Sequence, residues 1–161
     1  MIQSTVAELF EKEIKHIDIE VKGWVKSFRA NRFIALSDGS TIKTIQCVVD
    51  FETMDETLLK QITTGAALQI QGNLVESQGK GQALEIQVSN IAVLGAADPD
   101  LVSKTILQPK RHSLEFLREQ AHLRPRTNTF GAVMRLRSSL SFAIHQYFHQ
   151  NGFNYMHAPI I

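Results

Sequence analysis

The sequence predicts a small closed β-barrel followed by helices, and three patterns support this interpretation. Apolar and polar residues alternate in several short stretches before residue 95, as they do in half-buried strands. A single short helix is predicted between the third and fourth of these strands. Beyond residue 109 the apolar residues recur at helical spacing instead. The 161 residues therefore accommodate one small domain and part of another.

The barrel elements follow from the alternation. They are, in order, strands over residues 17–26, 33–36 and 42–50, a helix over 53–64, and strands over 66–76 and 82–94. This is the order of the five-stranded OB-fold, whereas an SH3-like barrel or half of a sandwich does not require the helix. Gly23 predicts a bend or bulge in the first strand, and Asp38-Gly39 predicts a hairpin after the second. A capping box at Thr5 and Glu8 predicts a short helix before the barrel.

The rest of the chain has the pattern of a helical linker and the start of a second domain. The predicted elements are a polar linker over residues 95–109, a helix over 113–120, a break at 124–126, a long helix from about 128 to 151, and a strand over 153–161. The long helix is apolar around so much of its circumference that one face is expected to pack against a partner. We therefore place the domains at residues 1–95, 96–126 and 127–161.

Composition and charge exclude several classes of protein. No apolar run approaches the roughly 18 residues of a membrane span, and the acidic N-terminal stretch is neither a secretory signal nor a transit peptide. The single cysteine, Cys47, excludes an internal disulfide framework, so a cytoplasmic location is expected. Residues 1–95 carry 9 Lys and Arg against 12 Asp and Glu, which excludes a generic polyanion binder. A local basic run is nevertheless present, at Lys22, Lys26, Arg29 and Arg32.

The strand period of two predicts which side chains leave the core. Phe33, Gln46 and Glu85 fall on the parity opposite to the core residues, so they are predicted to point outward. Whether they share one patch depends on strand register, which alternation does not fix. An exposed phenylalanine can stack on an unpaired base, while glutamine and glutamate can hydrogen-bond to base edges. Solvated surface residues give the same pattern, so both interpretations stay open at this point.

The sequence does not favour metal or nucleophile chemistry. His145 and His149 have helical i, i+4 spacing but lack the glutamate and third ligand of a zinc-protease helix. Cys47 lies on a core parity, which is typical of an inert small apolar residue. The glycine-rich stretch at residues 79–81 lacks the longer pattern of a phosphate-binding loop and is interpreted as a hairpin turn. We expect no cofactor to be bound by these residues.

A family resemblance begins at residue 109, in the strings PKRHSLEFLREQAHLRPRTNTFGAVMRLRSSL and AIHQYFHQNGFNYMHAPII. These strings resemble the start of the catalytic domain of the asparaginyl-tRNA synthetases. The related aspartyl and lysyl enzymes typically carry an RYLDLR-like segment in place of HLRPRTN at residues 122–128. The strings GWV at residues 23–25 and IQCVVD at 45–50 resemble the anticodon domain of the same family. The resemblance therefore covers essentially the whole chain.

The resemblance implies roles for the outward residues. It implies that Phe33 stacks on an anticodon base, that Gln46 reads the middle uridine and that Glu85 serves the first letter. Contacts to the RNA backbone are then expected from the nearby basic residues Lys26, Arg29 and Arg32. The short loop between the two arginines departs from the family pattern.

Residues 129–161 resemble the first class II signature, a long helix and a strand that ends at Pro159. In the family this signature builds the homodimer interface of the α+β catalytic domain. The residues expected in such an interface are Phe130, Met134, Leu140, Phe148, Gly152, Phe153 and Pro159. Ala158 departs from the family, which usually has threonine before that proline.

The resemblance further implies a parent enzyme that joins asparagine to its tRNA through an asparaginyl-adenylate, using ATP and magnesium. The remaining class II signatures are expected downstream of Ile161, so the 161 residues alone are predicted to be inactive. Two alternatives stay open: a free-standing OB-fold module for single-stranded nucleic acid, and a fragment of an aspartyl-type enzyme. The unfinished segment 109–161 argues against the first, and the string HLRPRTN argues against the second.

Overall fold

The computed structural model describes residues 2–11, 17–50, 52, 54–77, 79, 81–108 and 110–159. The chain divides into two compact units, residues 1–110 and 111–161, and each is described by itself. In the first unit the elements are β1 (Ile2–Gln3), α1 (Val6–Glu11), β2 (Ile17–Arg29), β3 (Phe33–Ser37), β4 (Ile45–Val48), α2 (Glu56–Gln61), β5 (Ala67–Glu76), β6 (Leu84–Gly95) and α3 (Pro99–Thr105).

Strand β2 closes the barrel because it pairs with both β5 and β3. Its first part, residues 17–24, runs antiparallel to β5, and residues 24–29 run antiparallel to β3. The sheet continues from β3 to β4, from β4 to the parallel strand β6, and from β6 back to β5. The predicted five-stranded OB-fold is therefore confirmed, with α2 between its third and fourth strands. The two-residue strand β1, which pairs in parallel with β2, was not predicted.

The barrel interior is filled by the branched aliphatic residues that the alternation predicted. Ile19, Val21, Ile34, Ile45 and Ile86 are fully buried, and α1 adds Val6 and Leu9 to the same core. The Thr5–Glu8 capping box is confirmed: the Thr5 amide donates to Glu8 Oε2 over 2.8 Å, and the Glu8 amide donates to Thr5 Oγ1 over 3.3 Å. Helix α1 therefore packs its apolar side against the barrel core.

Two details of the strands differ from the prediction. The register shift of β2 lies between Val25 and Ser27 and not at Gly23. Gly23 is required instead by close packing, because a Cβ there would lie 2.8 Å from the carbonyl oxygen of Ser37. The third predicted strand is also shorter, since β4 begins at Ile45 and residues 42–44 stay in the preceding loop.

That loop is held in place by helix α1. Asp38 Oδ2 accepts a hydrogen bond from the Val6 amide over 2.8 Å, and Ser40 Oγ accepts one from the Ala7 amide over 2.9 Å. Asp38 Oδ1 accepts from both the amide and the hydroxyl of Ser40. The loop therefore satisfies backbone donors at the start of α1.

We expect the Asp38 contact to make barrel stability depend on pH. Partial burial acts to raise the pKa of Asp38, but the hydrogen bonds from Ser40 and Val6 outweigh it and hold the pKa below its ordinary value. Stability from this carboxylate is therefore present above the unfolded pKa of about 3.9 and lost as the pH falls through the lower folded pKa. Asp38→Asn should lower the free energy of unfolding by about 1 kcal/mol at pH 7.

Urea unfolding at pH 7 and pH 3 tests this expectation. The difference between the parent chain and Asp38→Asn should shrink at the lower pH. Asp18→Asn, on an exposed position of β2, is the matched control and should change little at either pH. An equal destabilisation by Asp38→Asn at both pH values would contradict the role of the charge.

Residues 95–109 contain a helix that the linker prediction missed. Asp98 caps α3 by accepting from the amides of Asp100 and Leu101, and Pro99 occupies the first helical turn. The Asp98-Pro99 pair, whose residues are also typical of turns and linkers, is thus the start of a helix. The Thr63 hydroxyl donates to the Ala97 carbonyl over 2.6 Å, which ties the segment before α3 to the barrel.

The second unit consists of α4 (Leu114–Glu119), a short 3-10 turn (Arg124–Arg126) and α5 (Asn128–Gln150). The predicted helices and the break between them are confirmed. Thr127 caps α5 by accepting from the Phe130 amide, and Gly152 follows the helix with a φ of 84°. Among the helices that the structure describes, none is long and apolar enough to cross a membrane.

The strand predicted over residues 153–161 is wrong for the residues that the structure describes. Residues 153–159 have no regular secondary structure, and residues 160 and 161 lie outside the described part. A strand needs a hydrogen-bonded neighbour, and all strand pairings of the described residues lie within the barrel. Without such a neighbour, residues 153–159 do not form a strand.

Candidate nucleic-acid interface

The register of the barrel brings the three predicted outward residues onto one surface. Phe33 pairs with Arg29 on β2 and with Val48 on β4. Gln46 pairs with Ala35 on β3 and with Glu85 on β6. These pairings form two adjacent outward rows, Arg29–Phe33–Val48–Gln87 and Ser27–Ala35–Gln46–Glu85. We call this surface, defined by the eight residues of the two rows, the β3–β4 face.

Gln46 and Glu85 form the polar centre of the β3–β4 face. Both side chains are half-buried, and Gln46 Nε2 lies 3.4 Å from Glu85 Oε2, a long hydrogen bond. The contact fixes the orientation of the Gln46 amide, because a carboxylate accepts from an NH₂ group and repels a carbonyl oxygen. Among the described residues, no hydrogen-bond donor reaches Gln46 Oε1 or Glu85 Oε1. The pair can therefore offer acceptor atoms to a ligand.

Phe33 lies beside this polar centre, with cations around it. Phe33 is half-buried, and Gln46 lies two residues from its strand partner Val48, a diagonal position that places the two residues about 7–8 Å apart. The guanidinium carbon of Arg32 lies 5.8 Å from the centroid of the ring. Arg29 and Arg32 are joined by a tight turn in which Ala30 and Asn31 have φ values of 52° and 49°. The aromatic ring and two exposed arginines thus form one edge of the face.

The basic run of the sequence is divided by the fold. Arg29 and Arg32 flank Phe33, whereas Lys26 is half-buried at the bulge of β2. Lys22 is 3.6 Å from Glu20 and lies opposite Gln69 of β5. A hydrogen bond from Gln71 is the main cause that holds the pKa of Glu20 below its ordinary value. Lys22 therefore belongs to a polar cluster on the β5 side of the barrel and not to the β3–β4 face.

Ser77 and Gln82, at the ends of the β5–β6 hairpin, were not singled out by the sequence. The Ser77 hydroxyl donates to Glu85 Oε2 over 2.8 Å and accepts from Gln82 Nε2 over 3.2 Å. Alternation could not identify them, because β5 ends at Glu76 and β6 begins at Leu84, so both residues lie outside the strands. The predicted hairpin is confirmed by the bond from the Ser77 amide to the Ala83 carbonyl, although Lys80 lies outside the described residues.

Two further features of the sequence give no reactive site. Cys47 is fully buried between β3 and β6, and burial raises the pKa of its thiol far above the ordinary value, so the predicted core position is confirmed and a reactive thiolate is disfavoured. The His145 ring packs edge-on against Tyr155, with centroids 4.9 Å apart. Within the described residues no group of three His, Cys, Asp or Glu side chains could hold a metal ion.

The residues expected in a dimer interface lie mainly on the surface of α5. Met134, Leu140 and Phe148 are exposed, with 57% of Leu140 accessible. Phe130 is half-buried beneath the Arg124 guanidinium, 4.9 Å from its ring centroid. Phe153 packs edge-on against Phe148, while Gly152 and Pro159 are exposed beyond the helix. None of the 23 residues of α5, all of which the structure describes, is buried within the single chain.

Comparisons with known proteins agree with this geometry. Residues 19–94, which span the barrel, match the family described as an OB-fold nucleic acid binding domain of the tRNA anticodon type. The chain is 49% identical to asparagine–tRNA ligase of Parabacteroides distasonis and 51% identical to that of Bacteroides fragilis, in each case over 99% of its own length. It covers only 34% of each of these relatives.

A solved structure is similar as well. The chain resembles the Entamoeba histolytica asparaginyl-tRNA synthetase in complex with asparaginyl-adenylate, with 25% sequence identity and a TM-score of 0.77. The match covers 99% of this chain and 38% of that one. The chain is thus similar, along nearly its whole length, to the N-terminal portion of the asparagine–tRNA ligases, and its residues 19–94 form an OB-fold nucleic acid binding domain of the tRNA anticodon type.

Proposed function

We propose that the β3–β4 face binds the anticodon loop of an asparagine tRNA for a parent enzyme that attaches asparagine to this tRNA. The observation that carries the proposal is the contact between Gln46 and Glu85 beside Phe33, on a surface edged by Arg29 and Arg32. Stacking on the ring would hold an unpaired base, and the arginines would hold the backbone. The polar pair would then read the base edge.

The orientation of Gln46 gives a physical reason for a preference for uridine. Its Nε2 is directed to Glu85, so its Oε1 is the atom that a base would meet. Uracil carries an N–H donor at N3, which an amide oxygen can accept. Cytosine carries a lone pair at the same position, which the oxygen would repel. A middle uridine is therefore the base that suits Gln46.

We expect Gln46→Ala to flatten the preference for uridine over cytidine at the middle anticodon letter. The change removes an oriented acceptor and little contact area, so discrimination should fall by about ten-fold while the matched loop loses less affinity. Fluorescence titration of the two loops measures both quantities. Gln69→Ala, which removes the same side chain from the β5 side of the barrel, should leave the ratio unchanged. An unaltered ratio in Gln46→Ala would refute this role.

The proposal extends to the second unit. Residues 127–161 would begin the class II catalytic domain of the parent, and its homodimer interface would include the exposed face of α5. Support comes from the relatives, which are about three times as long as this chain, and from the unburied apolar residues of α5. Because the chain spans only 34% of such a relative, we propose that ATP and magnesium bind to other parts of the parent. Residues 1–161 alone should then show no ATP–pyrophosphate exchange.

We expect the 161-residue chain to self-associate through α5. Leu136, Leu140 and Ile144 lie four residues apart on one side of α5 and are 50–69% exposed, and an apolar face of this kind is unfavourable in water. Sedimentation velocity should show a dimer at tens of micromolar, and Leu140→Glu should shift it toward monomer by placing a charge in the interface. Leu101→Glu, which makes the same change at a similarly exposed leucine on α3, should leave the dimer intact. A parent chain that stays strictly monomeric at millimolar concentration would contradict the proposed interface.

A further inference from the structure

The Ser77 hydroxyl uses its full hydrogen-bonding capacity to hold Glu85. A serine hydroxyl has one donor and two acceptor positions. It donates to Glu85 Oε2 over 2.8 Å, and it accepts from the Gly79 amide over 3.1 Å and from Gln82 Nε2 over 3.2 Å. The two accepted bonds fix the direction of the donated one. Ser77 is therefore a rigid link between the β5–β6 hairpin and the carboxylate of the β3–β4 face.

This link decides which atoms of the polar pair remain available. Glu85 Oε2 is occupied by Ser77 and by Gln46 Nε2. Glu85 Oε1 is then the oxygen left for a ligand. Its position depends on Gln46 of β4 and on Ser77 of the β5–β6 hairpin. Without the 2.8 Å bond, the only described contact on the carboxylate is the 3.4 Å hydrogen bond from Gln46, so Ser77 supplies the shorter of the two bonds that position Glu85.

We propose that Ser77 is a positioning residue for base discrimination at the first anticodon letter. Glu85 Oε1, aimed by Ser77, would accept from a base that carries an N–H donor at the centre of its pairing edge. Guanine has such a donor at N1, whereas adenine has a lone pair there that the carboxylate repels. Ser77 thus selects guanosine over adenosine without touching the base. The inference rests on the proposed function, because it requires the anticodon loop on this face.

The test is a titration of the whole 161-residue chain with two anticodon loops that differ only in a first-letter guanosine or adenosine. Ser77→Ala should reduce the ratio of the two affinities by about 5- to 10-fold, as expected for a freed hydrogen-bond partner. Ser77→Thr keeps the hydroxyl and should keep most of the parent ratio. Ser77→Val has the shape of threonine but no hydroxyl, and its ratio should fall as in Ser77→Ala. Ser89→Ala is the matched control, since that hydroxyl donates to the Gln71 carbonyl on the β5 side.

Each result decides the matter. If Ser77→Ala and Ser77→Val keep the parent ratio, or weaken both loops equally, Ser77 has only a structural role and the inference is wrong. If the alanine variant is less stable, the comparison of Ser77→Thr with Ser77→Val still isolates the hydroxyl, because threonine and valine have the same side-chain shape. Failure of the proposed function is distinguishable: in that case the parent chain binds neither loop, or Phe33→Ala binds both as well as the parent does.

Discussion

Phe33→Ala is expected to weaken binding of an asparagine anticodon loop by roughly 1–3 kcal/mol, which corresponds to about 5- to 150-fold in affinity. The ring is the one aromatic surface in the two rows of the β3–β4 face, and it lies beside the Gln46–Glu85 pair. Loss of the ring removes a base stack and leaves the barrel core intact, since Phe33 is not part of that core. Titration with a labelled loop measures the change directly.

Two further variants show whether the loss is specific to stacking. Phe116→Ala removes an exposed phenylalanine from α4 and should leave the affinity unchanged. Arg29→Ala should weaken matched and unmatched loops alike and reduce the salt dependence of binding, because it removes a phosphate contact. An affinity of Phe33→Ala equal to that of the parent chain would show that the loop does not stack on this residue.

Gly72→Ala is expected to lower the free energy of unfolding by about 3 kcal/mol or more. A Cβ at residue 72 would lie 2.1 Å from the Gln87 carbonyl oxygen. This neighbour is backbone, so a side-chain rotation cannot relieve the clash. The position is a register shift of the β5–β6 pair, where the strands approach closely. The substitution therefore has to displace β6, which also carries Glu85.

Gly95→Ala is the matched control for this substitution. Gly95 pairs with Ala67 at the end of the same two strands. An added Cβ there would make an ordinary contact of 3.7 Å with Ala67. Urea unfolding should therefore show a large loss for Gly72→Ala and a small change for Gly95→Ala. A loss below about 1 kcal/mol for Gly72→Ala would mean that the barrel tolerates a wider spacing of β5 and β6.

The sequence was sufficient to predict the barrel because its strands alternate strictly where one face is buried. Ile34 and Ile45 mark the inner face of β3 and β4, so Phe33 and Gln46 had to point outward. The adjacency of Gln46 and Glu85 could not be predicted in the same way. They are 39 residues apart on parallel strands, and register between distant strands depends on bulges and packing that no local pattern encodes.

The errors of the prediction also have physical reasons. Asp98-Pro99 suggested a linker because both residues are common in turns, yet the same two residues are the cap and first position of α3. The region around Ser77 was read only as a turn, since the value of its hydroxyl depends on a carboxylate eight residues later. A strand was predicted over residues 153–161, but all strand pairings of the described residues involve the sheet of the first unit.

The most direct measurement is chemical-shift mapping of the isotope-labelled chain as an asparagine anticodon loop is added. The proposal predicts the largest changes at Phe33, Gln46 and Glu85 and at the arginines of the β2–β3 turn. Little change is expected at Glu20, Gln69 and Gln71 on the β5 side of the barrel. Shifts concentrated on the β5 side, with Phe33 and Gln46 unaffected, would contradict the assignment of the β3–β4 face as the RNA-binding surface.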